Sequence, residues 1–343
     1  MKLGIIGLPQ SGKSTIFAAL TGARGDENKK GVKRDNRIAS VKVFDERIDF
    51  LRSIYNPKKT IYASVEYLMP SDTGSGSDSM IWNQARICDA LIHVVKNFPD
   101  FNGVDPKSEV DYKQLEDEMV LTDLIVVEKR IERIEADLKR GKKPDEKEHK
   151  LVLSCKELLE KGIPLRKDEV LAKSPVLKGF TFLSAKPQLI IINNDDDNDI
   201  LPEWSSGSMD QRIQAVKGRL EMEIAAMSKE DAKEFLTEYG IVESALDRII
   251  KESYQILNLI SFFTVGEDEV KAWTIDKGTI ALQAAGEIHS DIQKGFIRAE
   301  VLAYNDLIKY GSFKEAKNAG RVRLEGKEYL VEDGDIINYR FNV

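Results

Sequence analysis

The chain has 343 residues, a formal net charge of −7, and 42% hydrophobic and 32% charged residues. This composition predicts two or three folded domains, and its acidic balance argues against a generally basic nucleic-acid binder while leaving room for a local basic patch. The apolar runs are much shorter than the ~20 residues of a transmembrane helix, and two cysteines, Cys88 and Cys155, cannot form a disulfide framework, so we expect a cytoplasmic protein without a membrane segment.

The first motif follows the first predicted strand. Residues 3–6 are apolar, residues 7–15 read GLPQSGKST, and Ile16, Phe17 and Leu20 follow at helical spacing. The motif G-x-x-x-x-G-K-[ST] is the phosphate-binding loop, or P-loop, and it requires this succession of strand, loop and helix.

The residue types of the loop indicate how it would bind a nucleotide. Gly7 and Gly12 allow backbone conformations that a Cβ would block, so that N–H groups can turn toward an anion at a helix N-terminus. Lys13 would stabilise the β- and γ-phosphates, and this is the only catalytic role predicted. The Ser14 hydroxyl can bind Mg²⁺. The predicted phosphate-binding residues are Gln10, Ser11, Gly12, Lys13, Ser14 and Thr15.

Three further apolar runs predict strands of a parallel sheet, at residues 65–68, 90–95 and 189–193. His93 lies inside the second run, where a buried core histidine is favoured over a catalytic base. Residues 184–186, Ser-Ala-Lys, are interpreted as the beginning of the third strand.

The third strand ends in a run of Asn and Asp residues. Ligands of such sheets bind at the carboxyl ends of the strands, so Asn193, Asn194 and Asp196 are candidates to bind the nucleobase. A polar turn rich in Asx residues is the alternative interpretation.

Residues 115–161 interrupt this pattern with two helices. A heptad seam predicts the first helix, residues 141–144 break it, and Leu151, Cys155 and Leu158 form the apolar stripe of a second helix from about Glu146. A short connection predicts an antiparallel coiled-coil hairpin. Its charged faces are interpreted as solvated, with contact to a partner through the tip at residues 140–143 as the alternative.

The C-terminal part of the chain changes from helices to strands. Residues 207–257 are predicted to be helical, and short strands and turns follow, with residues 281–289 as a helix. Residues 337–343 alternate between apolar and polar, which is typical of a strand with one buried face.

These segments together resemble the YchF / Obg-like ATPase family. The C-terminal stretch resembles the family's TGS domain, a β-grasp module, and further similarity lies at residues 3–22, 56–60 and 186–187 and along the hairpin. The C-terminal stretches that carry the resemblance are residues 262–266, 271–275, 283–289, 294–301, 323–329 and 339–343. The resemblance implies a nucleotide-binding protein associated with ribosomes, with Asn193 and Asp196 in the places of the family's base-binding Asn-x-x-Glu element.

The chain departs from the family pattern in both switch regions. Between Gly22 and Lys59 there is no Thr to close over Mg²⁺, and residues 29–34 are mostly basic. Met69 stands where the family has a metal-side Asp, and Asp72 stands where it has a Gly. Phosphate binding depends on backbone groups and Lys13, but hydrolysis lacks a visible base for water.

The predicted architecture is therefore a P-loop NTPase α/β sheet over residues 1–114 and 180–257, an inserted coiled-coil hairpin over 115–179 and a β-grasp (TGS) domain over 258–343. Two functions stay open at this point. One is a slow hydrolase of ATP or GTP that uses Mg²⁺ and is linked to ribosomes. The other is a degenerate nucleotide-binding or interaction module with little or no hydrolysis. Either could contact ribosomes or RNA through the TGS and coiled-coil surfaces.

Overall fold

The structure is a computed structural model, and it describes residues 1–22, 37–70, 77–204, 212–239 and 244–342. The chain divides into two compact units, one formed by Met1–Ala39 with Glu66–Ile249 and the other by Ser40–Val65 with Ile250–Val343. In the described ranges, no helix is both long enough and apolar enough to cross a membrane.

The structure has twelve strands in its described residues. They are β1 Lys2–Ile6, β2 Arg37–Lys42, β3 Lys59–Ile61, β4 Ser64–Met69, β5 Ala90–Asn97, β6 Gln188–Asn194, β7 Arg212–Val216, β8 Leu259–Val265, β9 Glu269–Asp276, β10 Phe296–Ala303, β11 Arg323–Glu325 and β12 Asp335–Phe341.

Thirteen α-helices accompany them in the same ranges. They are α1 Lys13–Thr21, α2 Glu46–Tyr55, α3 Ser77–Arg86, α4 Ser108–Lys139, α5 Glu146–Glu160, α6 Glu169–Ala172, α7 Gly218–Ala225, α8 Lys229–Glu238, α9 Ala245–Ile256, α10 Ala281–Ile288, α11 Ser290–Lys294, α12 Tyr304–Tyr310 and α13 Phe313–Asn318.

The first sheet has the strand order β2-β4-β1-β5-β6-β7. β1 pairs in parallel with β4 and β5, and β6 pairs in parallel with β5 and β7. Every residue of β6 is buried, which explains why its sequence is apolar without alternation. The predicted α/β fold class is confirmed, and β1 ends directly before the P-loop at the centre of the sheet.

Two local predictions in this region were wrong. Residues 212–216 form an edge strand and not part of a helix. The segment is too short to show a clear alternation, and its pairing with β6 overrides the local pattern. Residues 184–186 lie in a turn, and β6 begins only at Gln188.

The predicted hairpin is confirmed as helices α4 and α5. Along α5 the buried stripe is Val152, Cys155 and Leu159, which is shifted by one residue from two of the three predicted positions. The Arg130 guanidinium donates from Nε and Nη2 to both carboxylate oxygens of Glu148, each at 2.7 Å. This paired contact joins the two helices of the hairpin. Cys88 and Cys155 are both buried free thiols.

The second sheet has the order β11-β10-β12-β8-β9-β3. Its apolar core includes Phe262, Ala299 and Val301 of the sheet and Ala284 and Ala285 of α10.

Residues 40–65 belong to this second unit, whereas the sequence placed them with the nucleotide-binding domain. β3 pairs in parallel with β9, and Arg47 of α2 forms an ion pair of 2.7 Å with Asp333.

Candidate nucleotide-binding site

The loop after β1 forms an open helix N-terminus. Gly12 precedes α1 with a φ of 90°, and no side chain caps the helix by a hydrogen bond. The first N–H groups of α1 are therefore available to an anion, and the helix dipole favours negative charge there. Gln10 also adopts a positive φ of 62°, so the loop holds an uncommon backbone conformation on both sides of Ser11.

The two glycines of the motif are required by close contacts. A Cβ on Gly7 would lie 2.4 Å from the carbonyl oxygen of Val94, and a Cβ on Gly12 would lie 2.1 Å from Asn193 Nδ2. Neither distance is possible for a real side chain, so the neighbouring strands approach the loop as closely as glycine allows.

The Lys13 side chain extends back along the loop that precedes it and contacts loop carbonyl groups. Its Nζ donates to the carbonyl oxygens of Gly7 at 2.8 Å and Leu8 at 2.9 Å, and the residue is only 7% exposed. These contacts keep the ammonium group at the loop, where a phosphate oxygen could replace a carbonyl oxygen as its acceptor.

A cavity of about 460 Å³ adjoins this loop, and we call it the loop cavity. It is lined by Gln10, Ser11, Gly12, Lys13, Ser14, Thr15, Lys96, Phe98, Pro99, Asp100 and Phe101. All six predicted phosphate-binding residues therefore lie around one space. The wall contributed by residues 96–101 was not predicted from the sequence. The sequence did contain a signal for this wall, because residues 96–101 follow a predicted parallel strand and ligands bind at the carboxyl ends of such strands.

Asn193 contacts the loop and not an open space. Its Nδ2 donates to the Ser11 carbonyl oxygen at 3.0 Å, and its Oδ1 accepts from the Gly218 N–H at 3.0 Å. The residue is buried, so its amide joins the P-loop to the beginning of α7.

The other two candidates for the nucleobase differ in exposure. Asn194 is buried and its Nδ2 donates to the carbonyl oxygens of Asn198 and Ile200, each at 3.0 Å. The Asp196 side chain is 42% exposed and lies 4.0 Å from Arg219 Nε. Asn194 thus holds the loop after β6, and Asp196 is the one of the three that faces solvent. Their binding of a nucleobase stays a prediction.

The residues around the loop fit Mg²⁺ only together with phosphate. In the described ranges, no group of three His, Cys, Asp or Glu side chains could hold a metal ion. Ser14 is exposed at the first turn of α1, however, and Mg²⁺ commonly takes one or two protein ligands together with phosphate oxygens and waters. Met69 is buried at the end of β4. Asp72 and residues 29–34 lie outside the described residues.

His93 belongs to a buried polar cluster. It is 1% exposed and stacks on Tyr112, with ring centroids 5.1 Å apart. Gln188 Nε2 lies 3.2 Å from its Nδ1 and donates to Glu116 at 2.9 Å, and Glu116 also pairs with Arg166. Burial, with the positive charges of Arg166 and Lys13, lowers the pKa of His93 to about 3. The prediction of a core histidine is confirmed.

The parallel sheet and the loop at the end of its central strand define a P-loop NTPase, here with a second α/β unit. The family model described as "YchF-GTPase_C: Protein of unknown function (DUF933)" matches residues 259–342. The chain is 39% identical over 364 residues to the "Ribosome-binding ATPase YchF" of Bacillus subtilis (strain 168), covering 99% of both chains.

Two further comparisons agree with this assignment. The "Ribosome-binding ATPase YchF" of Haemophilus ducreyi is 35% identical over 371 residues, with 100% of this chain and 99% of that protein covered. The solved YchF GTPase of Schizosaccharomyces pombe superposes with a TM-score of 0.85 at 29% identity, over 99% of this chain and 97% of that one. The chain belongs to the YchF family.

Proposed function

We propose that the chain binds a purine nucleoside triphosphate at the P-loop and hydrolyses it, and that this cycle is linked to ribosomes in the cytoplasm. The observation that carries the proposal is the loop itself, where two glycines exclude side chains and Lys13 is held by loop carbonyls at 2.8 and 2.9 Å. The printed names of the relatives, a ribosome-binding ATPase and a GTPase, support both parts.

Mg²⁺ would be held by Ser14 together with phosphate oxygens. When bound there it neutralises charge on the phosphates. Lys13 and the N–H groups of α1 bind the phosphates, and the segment from Asn193 to Asp196 would contact the base. ATP and GTP both fit this proposal.

Ribosome or RNA contact would use the hairpin tip and the surface of the C-terminal TGS domain, in the domain division predicted from the sequence. At the tip, Arg140, Lys142 and Lys143 follow one another around the exposed turn between α4 and α5, with Lys142 paired to Asp137 at 3.0 Å. Exposed cations at a turn can reach phosphates without disturbing the helices behind them.

A second candidate function is nucleotide binding without turnover. Met69 favours it, because a thioether stands where a carboxylate would orient waters around a metal ion, and the side chain is buried at 7% exposure.

Phosphate release separates these functions. Wild-type protein with Mg²⁺ and either ATP or GTP should release phosphate, and Lys13→Ala should not. Lys58→Ala is the matched control, because that side chain is 82% exposed. Wild-type release equal to that of Lys13→Ala contradicts hydrolysis and leaves binding alone.

Sedimentation with ribosomes across a salt series tests the partner. An Arg140→Ala/Lys143→Ala variant should sediment less than wild type at low salt, and Lys161→Ala, at the other end of α5, should not differ. If wild type fails to sediment at any salt concentration, the ribosome link is wrong.

A further inference from the structure

The strand order gives the bound nucleotide a direction across the sheet. On the proposed function, the base lies at the end of β6 and the phosphates at the loop after β1. Because the order is β4-β1-β5-β6, the terminal phosphate points away from β6 and toward the end of β4.

A second cavity, of about 200 Å³, lies on that side, and we call it the β4-side cavity. Its walls include Gly7 and Lys13 of the loop, Pro70 after β4, Trp82 of α3, and Gln114 and Glu118 of α4. Lys13 lines both the loop cavity and the β4-side cavity. On the proposed function, a triphosphate in the loop cavity that contacts Lys13 would direct its terminal phosphate toward the β4-side cavity, because Lys13 is the residue that the two cavities share.

The β4-side cavity is mostly apolar, and two of its polar side chains, Gln114 and Glu118, contact each other. Among the described residues that line it, Glu118 carries the one carboxylate. Gln114 stands one helical turn earlier on the same face of α4, and its Nε2 donates to Glu118 Oε1 at 3.5 Å. A carboxylate has about four acceptor sites, so this contact orients it and leaves capacity for a water.

Several other titratable groups of the first unit are engaged elsewhere. Asp100, which lines the loop cavity, accepts from the N–H groups of Asn102 and Val104. Glu116 belongs to the buried polar cluster around His93 and pairs with Arg166. The His93 side chain is buried, at 1% exposure. Asp123 accepts from the N–H groups of Leu183 and Ser184.

From this geometry we infer that Glu118 is the general base that activates the attacking water. The water oxygen forms a bond to the γ-phosphorus while the bond from that phosphorus to the β–γ bridging oxygen breaks. The water proton passes to the Glu118 carboxylate, and the bridging-oxygen electron pair stays on the leaving nucleoside diphosphate. This inference rests on the proposed hydrolysis. It explains how the chain could still hydrolyse a nucleoside triphosphate although Met69 stands where the family has an Asp beside the metal ion.

The test uses the full chain with Glu118 changed to Gln and to Asp. Glu118→Gln should lower kcat about 100-fold or more with an unchanged Kd for ATP, because general-base catalysis commonly contributes 10²–10⁴-fold. Glu118→Asp should retain part of the wild-type kcat, because its shorter side chain still ends in a carboxylate. Asp117→Asn is the matched control at the preceding position of α4 and should behave as wild type.

The outcomes distinguish this inference from the proposed function. Wild-type turnover with an equal kcat in Glu118→Gln overturns the role of Glu118 and leaves hydrolysis standing. Equal losses in Glu118→Gln and Asp117→Asn overturn it as well, because they indicate a general effect on α4. Absence of turnover in wild type overturns both claims.

Discussion

Asn193, near the carboxyl end of β6, and Gly12 are so close that a Cβ on Gly12 would lie 2.1 Å from Asn193 Nδ2. That nitrogen donates to the Ser11 carbonyl oxygen at 3.0 Å. One buried amide thus fixes the position of the phosphate loop relative to β6, and the conformation of the loop depends on a residue far away in the sequence.

Gly12→Ala should abolish nucleotide binding and destabilise the first unit. The positive φ of 90° alone costs a non-glycine residue about 1–2 kcal/mol, and the new Cβ must also displace Asn193. Urea unfolding and an ATP titration measure the two effects. Gly179→Ala is the control, since nothing lies within 4 Å of its added Cβ and its backbone is unstrained. Equal stability and equal ATP affinity in the two variants would contradict a role for the contact between Gly12 and Asn193.

Asn193→Ala should lower the free energy of unfolding by about 1–3 kcal/mol, because it leaves the Ser11 carbonyl and the Gly218 N–H without their buried partner. Nucleotide binding should weaken as well, since the loop loses its anchor. Asn318→Ala, exposed at the end of α13, serves as control for chemical denaturation. Unchanged stability with weakened binding would show that Asn193 acts on the ligand and not on the loop.

His93 predicts a pH dependence of stability. Its pKa is about 3 in the folded protein and 6.5 in the unfolded chain, so only the unfolded state takes up the proton between these values. The contribution of neutral His93 to the free energy of unfolding should therefore be complete above pH 6.5. The free energy of unfolding should fall as the pH drops toward 3, by up to about 1.4 kcal/mol per pH unit.

Urea unfolding of wild type and His93→Gln from pH 7 downward tests the assignment. The slope should be shallower in the variant, because a Gln takes up no proton. His149→Gln, half-exposed on the hairpin, should keep the wild-type slope. Parallel slopes in all three proteins would assign the pH dependence to other groups.

Residues 40–65 should stabilise the second sheet. Leu51 of α2 is 0% exposed, and Leu51→Ala should cost about 2–5 kcal/mol. Amide hydrogen exchange should show the loss of protection in β8 and β9. Leu324→Ala, where the side chain is 56% exposed, should leave exchange unchanged. Loss of protection confined to the first sheet would contradict the membership of this segment.

The features that could be predicted from the sequence are those that depend on residues close together in the chain. β1, β5 and β6 were predicted because buried parallel strands are continuous apolar runs, and the P-loop because its glycines and lysine are adjacent in the chain. The hydrogen bonds of Asn193 to Ser11 and Gly218 could not be predicted, since they join residues that meet only after the sheet has formed. The pairing of β3 with β9 is of the same kind.

Calorimetric titration tests most directly whether the P-loop binds a polyphosphate. ATP, ADP and AMP should be titrated in turn into wild-type protein and Lys13→Ala, with and without Mg²⁺. We expect affinity to rise with the number of phosphates in wild type, and this dependence to be lost in Lys13→Ala. Equal affinity for the three nucleotides in wild type, or the same series of affinities in Lys13→Ala, would contradict polyphosphate binding at the loop.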